Sequence, residues 1–137
     1  MLIGIKRIYD KVEVTDGMRI LVDRLWPRGV KKSTAHIDKW VKDVAPSDAL
    51  RTWFGHDPEK WDAFRNRYRK ELESNESMGS LTALVGKNDV TLIYAAQDTA
   101  HNNAVVLSEF LAEKSKDLQA KEAEAKAEKE KKEKQKH

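Results

Sequence analysis

The chain has 137 residues, no cysteine, and 26 Lys+Arg against 23 Asp+Glu. That length suits one domain able to bury a core without disulfides, and the missing cysteines exclude thiolate metal sites and a Cys nucleophile. The opening MLIGIKRIYDK lacks a basic stretch leading into a long apolar one, and no apolar run approaches the roughly 18 residues of a membrane helix, so a cytoplasmic protein without a membrane partner is expected.

Leu2–Tyr9 reads as an opening strand, and Asp16-Gly17 as a turn. The run Ile20-Leu21-Val22 fits a buried strand that stops at Trp26-Pro27-Arg28-Gly29, since proline ends ladder pairing and glycine permits a turn. Residues 37–45 are ambiguous. Ile37, Trp40, Val41 and Val44 have helical spacing, but the stretch before Pro46 is short, and a strand ending near Val44-Ala45 is the preferred reading. Pro46-Ser47-Asp48 opens a short helix through Leu50, Trp53 and Phe54.

The clearest helix runs from Asp57-Pro58 to about Ser74. Asp57 suits the N-cap, Pro58 suits the first turn, and Trp61, Phe64, Tyr68 and Leu72 form one stripe. A helix over Gly79–Val85 and a buried strand over Val90–Ala96 follow. Gln97–Asn103 is then a polar loop, and Ala104–Leu111 opens the last packed helix.

From Glu113 to His137 the chain is an Ala/Glu/Lys tail with nine lysines and seven acids, so residues 1–112 are nearly neutral. Glu122–Lys126, Glu128–Lys132 and Glu130–Lys134 favour helix at i,i+4. The tail (113–137) is expected to be a solvated helical extension or disordered. Residues 1–112 are expected to form a single compact α/β domain, with a mainly parallel sheet flanked by helices in a Rossmann-like three-layer arrangement.

In such sheets ligands bind beyond the carboxyl ends of the strands. Two strand ends here are polar: Asp23 through Gly29, and Gln97 through Asn103. Arg24 and Arg28 offer forked donors to an anion, and Arg51 adds a third. Asp98, Asn102 and Asn103 could contact the same ligand, and His101 or His56 could move protons. Each feature also has a plain structural explanation. Asp98 could cap the last helix, Asp23 and Arg24 could form ion pairs, the asparagines could serve helix entry, and Trp53, Phe54 and Trp61 could anchor the core. No metal-ligand spacing, Walker loop, GxGxxG or GxSxG is present, and no cofactor is indicated.

Three blocks, LVDRLWPRG (21–29), APS…LRTWFGHDPEKWDAFRNRY (45–68) and LIYAAQDTAHNNAVVL (92–107), together resemble the YeaO-like branch of the domain-of-unknown-function 488 family over roughly residues 3–112. The resemblance implies a compact bacterial α/β domain and no particular activity. It picks out Arg24, Pro27, Arg28, Gly29, Pro46, Arg51, Trp53, His56, Asp98, His101 and Asn102 as matching the family's motif. Longer relatives carry cysteines in the block similar to 92–103. This chain has none, so thiol chemistry does not carry over. Some members are labelled regulators of the MarR type, but no winged-helix pattern occurs here. The leading functional expectation is an anionic small molecule bound in a crevice at the strand ends. Nucleic-acid binding through the arginines and the tail is the alternative, and a non-catalytic interaction protein the third.

Overall fold

The computed structural model describes residues 2–135. Four strands form one wholly parallel sheet in the order β1 (Ile3–Arg7), β4 (Val90–Tyr94), β2 (Met18–Leu21) and β3 (Lys39–Trp40). The apolar run VTLIY takes the centre, with every residue buried, as a strand covered on both faces requires. The register pairs Ile5 with Leu92 on one side of it and Ile20 with Leu92 on the other.

Period-two alternation divides the core. Ile20, Val22, Leu92 and Tyr94 face the major core, which is built with α2 (Asp48–Phe54), α3 (Trp61–Glu73), α4 (Met78–Val85) and α5 (Asn103–Gln135). Leu21, Ile93 and Ile8 face the other way. There Ala35 of the four-residue α1 (Lys32–Ala35) and a loop carrying Trp26, Val30 and Ile37 cover them. The expected α/β architecture with a parallel sheet is therefore present, and its second covering layer is thin.

Local signals account for most element ends. Asp57 accepts the Glu59 N–H at 3.0 Å, and Pro58–Lys60 is a 3-10 turn that leads into α3. Phe64, Tyr68 and Leu72 of the expected stripe are buried, and Phe64 stacks on Phe54 with centroids 4.3 Å apart. Ser47 caps α2 through the Leu50 N–H, and Glu71 grips Ser47 through both its N–H and its hydroxyl. The ambiguous stretch 37–45 resolves into the two-residue β3 and a 3-10 turn over Lys42–Val44. The strand thus ends earlier than expected, because only Lys39 and Trp40 pair with β2.

A polar network closes the edge of the thinner face. Asp16, buried beside strand β2, receives Lys6 at 2.8 Å and Arg19 at 2.6 Å, while Arg19 also donates to the carbonyls of His36 and Ala35. Burial alone would raise the Asp16 pKa, but the Lys6 bond, the Glu13 N–H and Arg19 outweigh it and hold the carboxyl below its usual range.

The helix α5 runs unbroken from the packed residues around Phe110 to Gln135, and Lys116–Lys132 are exposed. No helix among the described residues is long and apolar enough to cross a membrane.

The turn before β2 depends on one glycine. Gly17 has φ of 64°, and a Cβ there would lie 2.4 Å from the Asp89 carbonyl oxygen. That oxygen receives the Met18 N–H at 3.0 Å, so it cannot retreat without breaking the ladder entry. Gly17→Ala is expected to destabilise the protein by about 2 kcal/mol in urea unfolding, from strain and overpacking together. A loss below about 0.5 kcal/mol, the level of a neutral surface change, would contradict this account of the turn.

Candidate functional site

Beyond the carboxyl ends of β2 and β4 the chain opens into a cleft of about 730 Å³. The two strands hold together up to Leu21 and Ile93, with one further bond from the Val22 N–H to Ile93 O at 3.0 Å, and then diverge. Asp23 spans the divergence. Its Oδ2 accepts the Ala95 N–H at 2.9 Å, and its Oδ1 accepts the Asn103 amide at 3.2 Å. Its carbonyl accepts the Trp40 indole N–H at 2.7 Å. Burial raises the Asp23 pKa above the ordinary aspartate value, against the opposing pull of the Ala95 N–H and Asn103.

The floor is apolar, made by Ala45, Pro46, Phe54, Phe64, Ala95 and Ala96. Two charged walls face across it. On one, Arg24 follows β2 and Arg51 projects from α2, and both bind the carboxylate of Asp48, Arg24 at 3.1 Å. On the other, Asp98 folds its loop by accepting the N–H groups of Ala100 and His101 at 2.9 and 3.0 Å. The Ala100 N–H foremost, then the His101 ring, holds Asp98 below the usual carboxylate range. Asp98 Oδ2 lies 2.9 Å from His101 Nδ1, and Trp61 meets the imidazole edge-on at 5.2 Å. A neutral imidazole that donates from Nδ1 keeps Nε2 as an acceptor.

The residues singled out from the sequence fall as follows. Arg24, Arg51, His56, Asp98, His101, Asn102 and Asn103 all line the cleft. Arg28 does not. The Trp26 indole donates to Val30 O at 2.7 Å, Gly29 turns with φ of 75°, and the loop carries Arg28 outward, where its carbonyl meets the Tyr9 hydroxyl. Both asparagine amides are spent on structure. The Asn102 side chain accepts the Val105 N–H and donates to Asp98 O, so Asn102 rather than Asp98 caps α5. Asn103 donates to Val22 O and to Asp23. Arg24 pairs with Asp48, and Asp23 is held by hydrogen bonds rather than by a salt bridge. His56 follows Gly55 in a second left-handed conformation, φ of 58°, which is uncommon for a residue with a side chain.

The pairing of Asp48 and the bridging role of Asp23 emerge only in the structure. Asp23 carried a usable signal, a carboxylate directly after a buried strand. Asp48 carried none, because its partners meet it only through the fold. Among the described residues no group of three His, Asp or Glu side chains is placed to hold a metal ion.

Fold and cleft together define a small α/β protein with a ligand-sized crevice at the strand ends. The chain belongs to the DUF488-N3i family, described as the inactive DUF488-N3 subclade, whose family model matches residues 2–130. It is 44% identical over 112 residues to the uncharacterized protein YeaO of Escherichia coli, covering 81% of this chain and 97% of that protein. It is 39% identical over 109 residues to an uncharacterized protein of Mycobacterium tuberculosis, covering 80% of this chain and 92% of that one. No solved structure matches the chain.

The raised Asp23 pKa gives a test of how closed the cleft is at its root. The fold favours the protonated carboxyl. The stability tied to this group is therefore fully present below the unfolded value, near 3.9, and is lost as pH rises through the higher folded value. A carboxyl-carbon NMR titration is expected to place the Asp23 midpoint above about 3.9, and a midpoint at or below that value would contradict its burial.

Proposed function

We propose that the cleft binds a small molecule with an anionic head and an apolar body, and that it binds without turnover. The observation that carries this reading is the arginine clamp. Arg24 and Arg51 come from separate segments to one wall of the cleft, and both already hold a carboxylate. Guanidinium groups arranged in this way suit carboxylate and phosphate oxygens. The apolar floor of Phe54, Phe64 and Pro46 suits a ring or short hydrocarbon. The description of the family as inactive supports binding over catalysis. On this reading His56 and His101 recognise the ligand and transfer no proton, with the His101 ring oriented by Asp98.

The nucleic-acid reading draws less support. Along the exposed part of α5 lysines are interleaved with glutamates, which yields no continuous basic face.

Phenyl phosphate supplies both parts of the proposed ligand. In calorimetric titrations Arg24→Ala and Arg51→Ala are each expected to weaken its binding about tenfold or more, the scale of one charged hydrogen bond. Arg28→Ala is expected to leave it unchanged. Equal affinity in the wild type and in both clamp variants would overturn the reading.

A further inference from the structure

The clamp is not empty of negative charge, and this bears on which anions it can take. Asp48 places Oδ2 3.1 Å from Arg24 Nη1 and its other oxygen on Arg51 Nη2. Each carboxylate oxygen is thus held by a different guanidinium, as two oxygens of a ligand's head group would be. Both arginines line the cleft. Asp23, the carboxylate at the root of the same cleft, cannot take this part, because its oxygens are committed to Ala95 and Asn103.

We infer that Asp48 is a tethered counter-anion that occupies the arginine clamp, so that every ligand must displace it and only a head group that gains more than Asp48 gives up, a phosphate monoester, binds well. The inference rests on the reading of the cleft as an anion site.

The backbone at Asp48 is fixed. Ser47 before it caps α2 through the Leu50 N–H and is itself gripped by Glu71. Asp48 can therefore leave the clamp only by rotating its side chain. That rotation is cheap, because its side chain is 62% exposed and those of Arg24 and Arg51 are 49% and 40% exposed. Released into water, the carboxylate is rehydrated at once, and exposed ion pairs are weak.

Any ligand must displace Asp48, and the cost is the same for all of them. A monoanionic carboxylate then regains at the clamp only what Asp48 gave up. A phosphate monoester, close to doubly charged at neutral pH and with three acceptor oxygens, gains more than it replaces. Two exposed ion pairs together correspond to about a tenfold change in an equilibrium constant. Asp48 thus lowers the affinity for every anion by about that factor and pushes simple carboxylates out of the useful range.

The test compares phenyl phosphate with benzoate, which share a ring and differ in head group, by calorimetric titration of the full chain. The variants are Asp48→Asn and Asp48→Ser, two neutral residues that suit the first turn of a helix. The wild type is expected to bind phenyl phosphate well ahead of benzoate. Both variants are expected to tighten phenyl phosphate about tenfold and to strengthen benzoate by a similar factor. If the wild type binds phenyl phosphate and the neutral variants bind it no more tightly, the role of Asp48 is overturned while the cleft stands. If neither wild type nor variants bind phenyl phosphate, the anion site itself is overturned, and the role of Asp48 with it.

Discussion

The cleft depends on one side chain. The chain leaving β2 and the chain leaving β4 are neighbours in the sheet, and each carries backbone N–H and C=O groups that lose their ladder partners as the strands part. Asp23 takes up the Ala95 N–H, the Asn103 amide and, through its own carbonyl, the Trp40 indole. One residue thereby links the ends of β2 and β4 to the start of α5 and to the edge strand β3. A gap is held open between segments that would otherwise need to pair or collapse. Unpaired polar groups at the root of an apolar-floored pocket would be costly, which is why a carboxylate serves there although burial disfavours its charge.

Solvent exposure gives two of the charge networks among the described residues different roles. Asp16, Lys6 and Arg19 sit at the edge of the thinner face. Asp16 and Arg19 are buried there, and Arg19 spends its remaining donors on the carbonyls of Ala35 and His36. Such a network is fixed, since removing a member strands a buried charge. Asp48 with Arg24 and Arg51, the two arginines that line the cleft, uses the same residue types, but these three are half-exposed. Their contacts are exchangeable, as the proposed ligand binding requires. The formal excess of positive charge in the whole chain says little about this site, where the lining arginines are matched by the lining Asp23 and Asp98 and paired with Asp48.

Much of the fold was legible in the residues. The run VTLIY marked a buried strand, the 61/64/68/72 stripe marked α3, and Asp57-Pro58 and Ser47 marked helix starts. These signals are local, and the packing agrees with them. The stretch 37–45 was not legible, because a strand of two residues followed by a 3-10 turn has too few positions to show a period. Strand ends directed attention to Arg24, Asp98 and His101, and those side chains share the cleft. Arg28 has the same composition-level signal as Arg24, yet the Trp26–Val30 bond and the Gly29 turn carry it elsewhere. Asp48 was invisible for a different reason. Its significance lies in two arginines that reach it from either side, 24 residues and three residues away along the chain.

On the proposed function, the arginine clamp is where a ligand's anionic head replaces Asp48. A crystal structure of the full chain with phenyl phosphate tests it most directly. The phosphate is expected between Arg24 and Arg51, the ring over Phe54 and Phe64, and the Asp48 side chain turned into solvent. Phenyl phosphate bound elsewhere, along the exposed length of α5 for example, with Asp48 still bridging the two arginines, would contradict it.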